Sequence, residues 1–354
     1  MNYGEFMAAL RQHGLKHVYL LSGEESYYID KAEKQLLKRL FPGGEREQQD
    51  ALQRLDGDMD LDGLIGMMES APFFADKNVV LLKNTRLFKE KKSGAKEEKA
   101  GKKGKSQSEK QEERLLAAIG NMPEYSYIIF ETPEKADKRR KLYKAVQAAG
   151  SVLEAEPVRA WTIGDWLKDR LLSLDKELDA EAYTYFMGAV SMMQQISLAY
   201  LDKEFEKLAL YTAERRLTKK DLLQVFSSIP EVSGFSMLDA ISAHDVKKAL
   251  SLLDRQIQDG VYMPLLLGLL VRHVRQLWQA KTLMERGIRG RQLGGPLEMN
   301  PFIAEKLGRA SQTFGEAALK RALLDLADAD YYLKTGQAGP ELLENVIIGL
   351  CGKN

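Results

Sequence analysis

The feature that most constrains this chain is a change of hydrophobic period near Pro157. Before it, short β-branched or apolar runs alternate with stretches of helical spacing. After it the runs stop and long amphipathic stretches fill the remainder. Alternating strand and helix signals lead to a parallel sheet flanked by helices, so residues 1–155 are expected to form an α/β unit followed by all-α structure. A chain of 354 residues exceeds what one core organises, which also argues for more than one domain.

Five runs read as strands: residues 16–21, 51–55, 78–82, 125–130 and 151–154. Between them, residues 29–40, 61–69, 112–119 and 137–149 have helical periodicity. Residues 89–113 interrupt this pattern with Lys, Glu, Gly and Ser and almost nothing apolar. Such a segment cannot offset its ordering entropy by burial, so a mobile, solvated surface insertion is expected. In the second half, breaks at 217–218, 230–234, Gly260 and 294–296 divide the helices. The break at 230–234 separates a small bundle, 156–230, from a larger one, 231–354.

Charge and cysteine usage exclude several classes. The 52 Lys and Arg nearly cancel the 51 Asp and Glu, leaving +1. Nucleic-acid attraction driven by total charge is therefore not expected, and any DNA contact needs a local patch or partner subunits. Cys351 is the one cysteine, so no internal disulfide forms, and with no apolar signal core a cytoplasmic protein is expected. The most apolar run, 263–271, is too short to cross a bilayer.

A strand, glycine, helix opening raises the question of a phosphate loop. The turn here is Ser22-Gly23-Glu24-Glu25-Ser26. It lacks the second glycine and the Lys-Ser or Lys-Thr pair of a Walker A motif, and Glu24 and Glu25 place carboxylates where a polyanion would sit. Helix capping by Glu25 or Ser26 is the plainer reading. The histidines (His13, His17, His244, His273) are too scattered for a metal or acid-base site. Cys351 lies in an apolar helical stretch, where a small buried hydrophobe is the default. Asp328 and Asp330 read as a solvated helix face. No cofactor is expected. An α/β enzyme remains the opposing reading, with a ligand at the carboxyl ends of the strands near Ser22–Ser26, residues 56–58 or Thr132.

Two adjacent rings follow a proline in Ala71-Pro72-Phe73-Phe74. Neighbouring positions of a regular helix or strand cannot both face one core, and Pro72 discourages the preceding helix from continuing. At least one ring is expected on an exposed loop. The other reading has both rings plugging the gap between that helix and the third strand.

Several strings resemble the delta subunit of bacterial DNA polymerase III holoenzyme: Val18-Tyr19-Leu20-Leu21-Ser22-Gly23-Glu24-Glu25, Asp137-Lys138-Arg139-Arg140-Lys141-Leu142-Tyr143, Glu204-Phe205-Glu206-Lys207-Leu208-Ala209-Leu210-Tyr211, Leu269-Leu270-Val271-Arg272-His273 and Leu333-Lys334-Thr335-Gly336. Their order spans most of the chain. The resemblance implies a degenerate AAA+-type domain at 1–155, a helical lid at 156–230 and a helical collar for oligomerisation at 231–354. It also implies a non-ATPase subunit that opens the DNA sliding clamp (beta subunit), beside the gamma or tau ATPases and delta prime, with primed DNA met through the assembled loader. Family clamp-binding peptides end in bulky apolar residues, positions held here by Phe73 and Phe74 behind Ala71 and Pro72; Phe73 stands where leucine is common. The basic cluster at 137–141 reads as a charged helix start, with DNA phosphate or a partner as the other reading; Trp161 and Trp166 read as packing anchors, and Arg272 and Arg275 as solvated by default, with the collar interface or DNA as the other reading.

Overall fold

The five apolar runs pair as one parallel sheet. The computed structural model describes residues 1–89, 107–193, 195–226, 230–337 and 339–352. The strands are β1 (Val18–Gly23), β2 (Leu52–Asp56), β3 (Asn78–Lys83), β4 (Ser126–Thr132) and β5 (Ser151–Ala155), in the order β2-β3-β4-β1-β5. Every pairing among them is parallel. Such a sheet must be covered on both faces. Hence β1 is buried along its whole length, whereas β2 at the edge has no buried residue and exposes Gln53, Arg54 and Asp56.

Around the sheet lie α1 (Tyr3–His13), α2 (Ser26–Leu40), α3 (Glu45–Ala51), α4 (Leu61–Glu69), α5 (Gln107–Gly120) and α6 (Lys141–Ala149). Successive strand residues point to opposite faces. Tyr19, Leu21, Leu81 and Ile129 therefore pack with Phe6, Leu36 and Leu40 of α1 and α2. Leu20, Val80, Ile128 and Phe130 pack with Leu64, Leu115 and Val146 of α4, α5 and α6.

Three local expectations change. Ala51 closes α3 and is not the first residue of β2. The expected insertion at 89–113 falls mostly outside the described residues, and 107–113 is helical, because α5 begins at Gln107. The helix expected from 137 begins at Lys141. Asp137 instead accepts hydrogen bonds from the Arg139 amide at 3.0 Å and its guanidinium at 2.9 Å, which closes a turn ahead of the helix.

The chain divides into two compact units, Met1–Pro157 and Val158–Asn354. The second contains α7 (Ile163–Ser173), α8 (Ala180–Met192), α9 (Leu198–Tyr211), α10 (Lys219–Val225), α11 (Pro230–Ser242), α12 (Val246–Gln258), α13 (Met263–Glu285), α14 (Pro301–Ser311), α15 (Glu316–Thr335) and α16 (Glu341–Cys351). It is not purely helical, since β6 (Glu177–Leu178) and β7 (Arg216–Leu217) form a parallel pair. Residues 230–234 are not a break but the first turn of α11, where the missing proline N–H costs nothing.

The side chain of Phe205 organises the start of this unit. Its ring meets Trp166 at 5.9 Å, Phe186 at 5.3 Å and Phe226 at 5.2 Å, all edge to face. Trp161, read as a second anchor, is 41% exposed and does not share that role. Phe205→Ala is expected to cost about 3–5 kcal/mol, because a buried ring leaves a cavity its partners only partly fill. Thermal denaturation followed by near-ultraviolet dichroism reads the loss.

Candidate functional site

The connection from α4 to β3, residues 70–77, is tied down at its base and open at its tip. Ser70 leaves the helix in extended conformation, and Pro72 cannot supply the N–H a further turn needs. Asn78, the first residue of β3, is buried and holds the exit. Its Nδ2 donates to the carbonyls of Met67 at 2.6 Å and Ser70 at 3.2 Å, and its Oδ1 accepts from Gln53 Nε2 at 3.1 Å. The hydroxyl of Ser126 donates to the Met68 carbonyl at 2.6 Å and that of Tyr125 to the Glu69 carbonyl at 3.0 Å. On the far side Ala75 packs against the α1–α2 core, and Lys77 Nζ donates to the Leu40 carbonyl at 2.8 Å.

Between these anchors the two rings stand in solvent. Phe73 is 93% exposed and Phe74 89%, with Ala71 exposed and Pro72 half-buried. The reading in which both rings plug the gap between α4 and β3 is therefore overturned: Asn78 and its hydrogen bonds fill that gap. Sequence reasoning missed Asn78, Ser126 and Tyr125 as the supports of this tip. A polar residue heading an apolar strand was the available signal.

The turn after β1, residues 22–26, serves the fold. Gly23 has φ +134°, and a Cβ there would lie 2.1 Å from the Ala155 carbonyl oxygen, so the glycine lets β1 close on β5. Glu25 is buried; its carboxylate accepts from the Tyr27 amide at 3.3 Å and its own amide donates to the Ala155 carbonyl at 3.1 Å. A carboxylate from the chain itself thus sits at the start of α2, the place a phosphate would take. Glu24 is exposed beside it.

Most groups at the carboxyl ends of the strands serve structural partners, although the buried Thr132 hydroxyl has no hydrogen-bond partner among the described residues. The Ser22 hydroxyl donates to the Leu153 carbonyl at 3.1 Å. Asp58 accepts from the Thr85 hydroxyl at 2.9 Å and the Arg86 amide at 2.7 Å, and Asp56 accepts from Asn84 at 2.6 Å. Lys83 lies between Glu33 at 2.6 Å and Glu131 at 3.6 Å. Burial, reinforced by the Glu33 charge, raises the Glu131 carboxyl from 4.5 to about 7 against the pull of Lys83. A raised folded-state value means that the stability Glu131 contributes is fully present below pH 4.5 and is lost as pH rises to about 7. Glu131→Gln is expected to flatten the decline in melting temperature across that window. A slope identical to the parent's would refute this origin.

The other candidate chemistry resolves into packing. His17 Nδ1 lies 2.9 Å from the Ser126 carbonyl oxygen, and its ring stacks on Tyr127. Burial pushes the Cys351 thiol up to about 11, and a thiol held protonated is a poor nucleophile. Among the described residues no group of three His, Cys, Asp or Glu side chains is placed to hold a metal, and no helix is long and apolar enough to cross a membrane.

Comparison with known proteins places this geometry in a family. A family model described as the DNA polymerase III delta subunit matches residues 19–156, and one for the C-terminal domain of that subunit matches 231–350. DNA polymerase III subunit delta of Bacillus subtilis is 22% identical over 337 residues, which are 95% of this chain and 92% of that protein. The solved structure of the Bacillus subtilis DNA clamp loader delta protein shares the fold with a TM-score of 0.60 at 20% identity, over 99% of this chain and 100% of the other.

Proposed function

Because the chain belongs to the DNA polymerase III delta subunit family and is a non-catalytic clamp loader component, we propose that it opens the DNA sliding clamp by seating Phe73 and Phe74 in an apolar pocket of that ring. The observation that carries this reading is the pair of fully presented rings on an anchored base. Exposed aromatics at a loop tip mark an interaction site. Burying each is worth about 1.5–3 kcal/mol, so together they supply roughly two to four decades of affinity before ordering costs. That is enough to dominate a small interface.

The remaining parts of the proposal follow from family membership. ATP is bound by partner gamma or tau subunits, which fits an α2 start already occupied by Glu25. Delta prime completes the assembly, and primed DNA is met through it. Residues 1–155 act on the clamp, 156–230 form a lid and 231–354 a collar that binds sister subunits.

Capture of the purified chain by immobilised beta clamp, without nucleotide, tests the reading. Saturable binding at micromolar concentration or tighter is expected, along with faster release of clamps from nicked circular DNA. Absence of capture would overturn it.

A further inference from the structure

We propose that α15 pairs antiparallel with the same helix of a second copy, so that two copies of this chain join through their C-terminal units. One face of α15 is occupied, because Leu319, Ala322, Leu326 and Ala329 are buried. The helix also carries a second apolar line. Ala317, Leu324 and Tyr331 recur every seven residues, and seven residues of helix return to within about 20° of one direction. At 3.6 residues per turn that direction lies about 180° from the middle of the buried face. Leu324 is 56% exposed and Tyr331 60%, and Ala317 is exposed as well. Tyr332 meets the Tyr331 ring edge to face at 5.5 Å, which braces it. Single apolar side chains scattered over a surface need no explanation, but a straight line of them on the outward face of a helix is the pattern of a helix seam.

The occupant follows from how the line reads backwards. In an antiparallel pair centred on Leu324, each residue before it meets the residue equally far after it in the second copy, as an isologous contact requires. Ala317 then faces Tyr331 and Tyr331 faces Ala317, so each ring enters the space that a methyl group leaves. The two Leu324 side chains meet on the axis. Charge follows the same order. Arg321 and Asp328, three residues before and four after Leu324, lie on one flank of the line, so each Arg321 reaches Asp328 of the second copy. Arg321 holds Asp325 at 3.0 Å and Lys334 holds Asp330 at 2.7 Å, whereas Asp328 has no cationic partner among the described residues. An unrelated helix would have to match size and charge at each of these positions. The chain's own sequence matches them by reversal alone.

From Ala317 to Tyr331 the seam is about 21 Å long. That is short for a stable interface, so the dimer is weak and reversible. The inference does not rest on the Phe73–Phe74 reading, whose residues lie in the other compact unit.

Sedimentation velocity of the purified full chain over a wide concentration range tests the pairing. A dissociation constant on the order of 100 µM is expected from a contact of this size, with the average mass rising from one copy toward two. Leu324→Asp puts two carboxylates on the axis and should weaken pairing at least about ten-fold. Tyr331→Ala should weaken it about ten-fold by emptying the space beside Ala317. Both side chains are more exposed than buried, so the melting temperature should stay at the parent value. Charge reversal gives the sharper readout. Arg321→Asp and Asp328→Arg should each weaken self-pairing about ten-fold, whereas an equimolar mixture of the two should pair at least as well as the parent, because each copy supplies the sign the other lacks. A parent that stays monomeric throughout, parental pairing by Leu324→Asp, or a mixture no better than its two components would overturn the proposal. A monomeric parent whose Leu324→Asp variant no longer joins the gamma or tau and delta prime subunits would overturn it too, and would assign the seam to a sister subunit.

Discussion

Replacing Phe73 and Phe74 together by alanine is expected to abolish clamp capture while leaving the melting temperature within a degree or two of the parent. Both rings are almost wholly exposed, so truncation removes little folded-state contact, and surface changes of this kind usually stay within about 0.5 kcal/mol. Binding is another matter. If both rings are buried in a clamp pocket, their removal forfeits about 3–6 kcal/mol, or roughly two to four decades in dissociation constant. Each single variant should lose about half of that in free energy. Surface plasmon resonance against immobilised clamp, beside differential scanning calorimetry, separates the two effects. A drop of many degrees with capture intact would sink the assignment, because it would mean the rings support their own fold.

Gly23→Ala is expected to be among the most damaging single changes in the N-terminal unit. Gly23 pairs with Ala155 in the β1–β5 ladder, and an added Cβ would meet the Ala155 carbonyl oxygen at 2.1 Å, its carbon at 2.6 Å and its nitrogen at 2.8 Å. These are backbone atoms of a paired strand and have no rotamer in which to retreat. Overpacking and a non-glycine residue at φ +134° together cost about 2–6 kcal/mol, a large share of the roughly 5–15 kcal/mol that holds a domain together. Glu24→Ala, one residue on and exposed, should be nearly neutral. Urea midpoints of the two variants give the comparison. Equal midpoints would show that β1 and β5 separate to admit the methyl group.

The parallel sheet was legible because its inner strands are buried on both faces, which forces continuous apolar runs such as Val79–Leu82. α3 was not. Its sequence, Glu-Arg-Glu-Gln-Gln-Asp-Ala, buries only Ala51 and carries almost no periodic signal. The β6–β7 pair contributes two residues from each strand, too few to show alternation. Pro230 was misread because proline ends a helix from within but begins one comfortably. At the candidate site, the rule that adjacent residues face different ways located the presented rings. The supports, Asn78 and Ser126, were hidden because their roles come from carbonyls eight or more positions away in the chain.

Hydrogen bonds at both ends of the 70–77 connection give it a mechanical character. A tethered peptide would have to surrender most of its backbone freedom on docking, at about 1–2 kcal/mol for every residue fixed. The two ends of this connection have already made that sacrifice during folding, so under the proposed function only the short tip between them has freedom left to lose on docking.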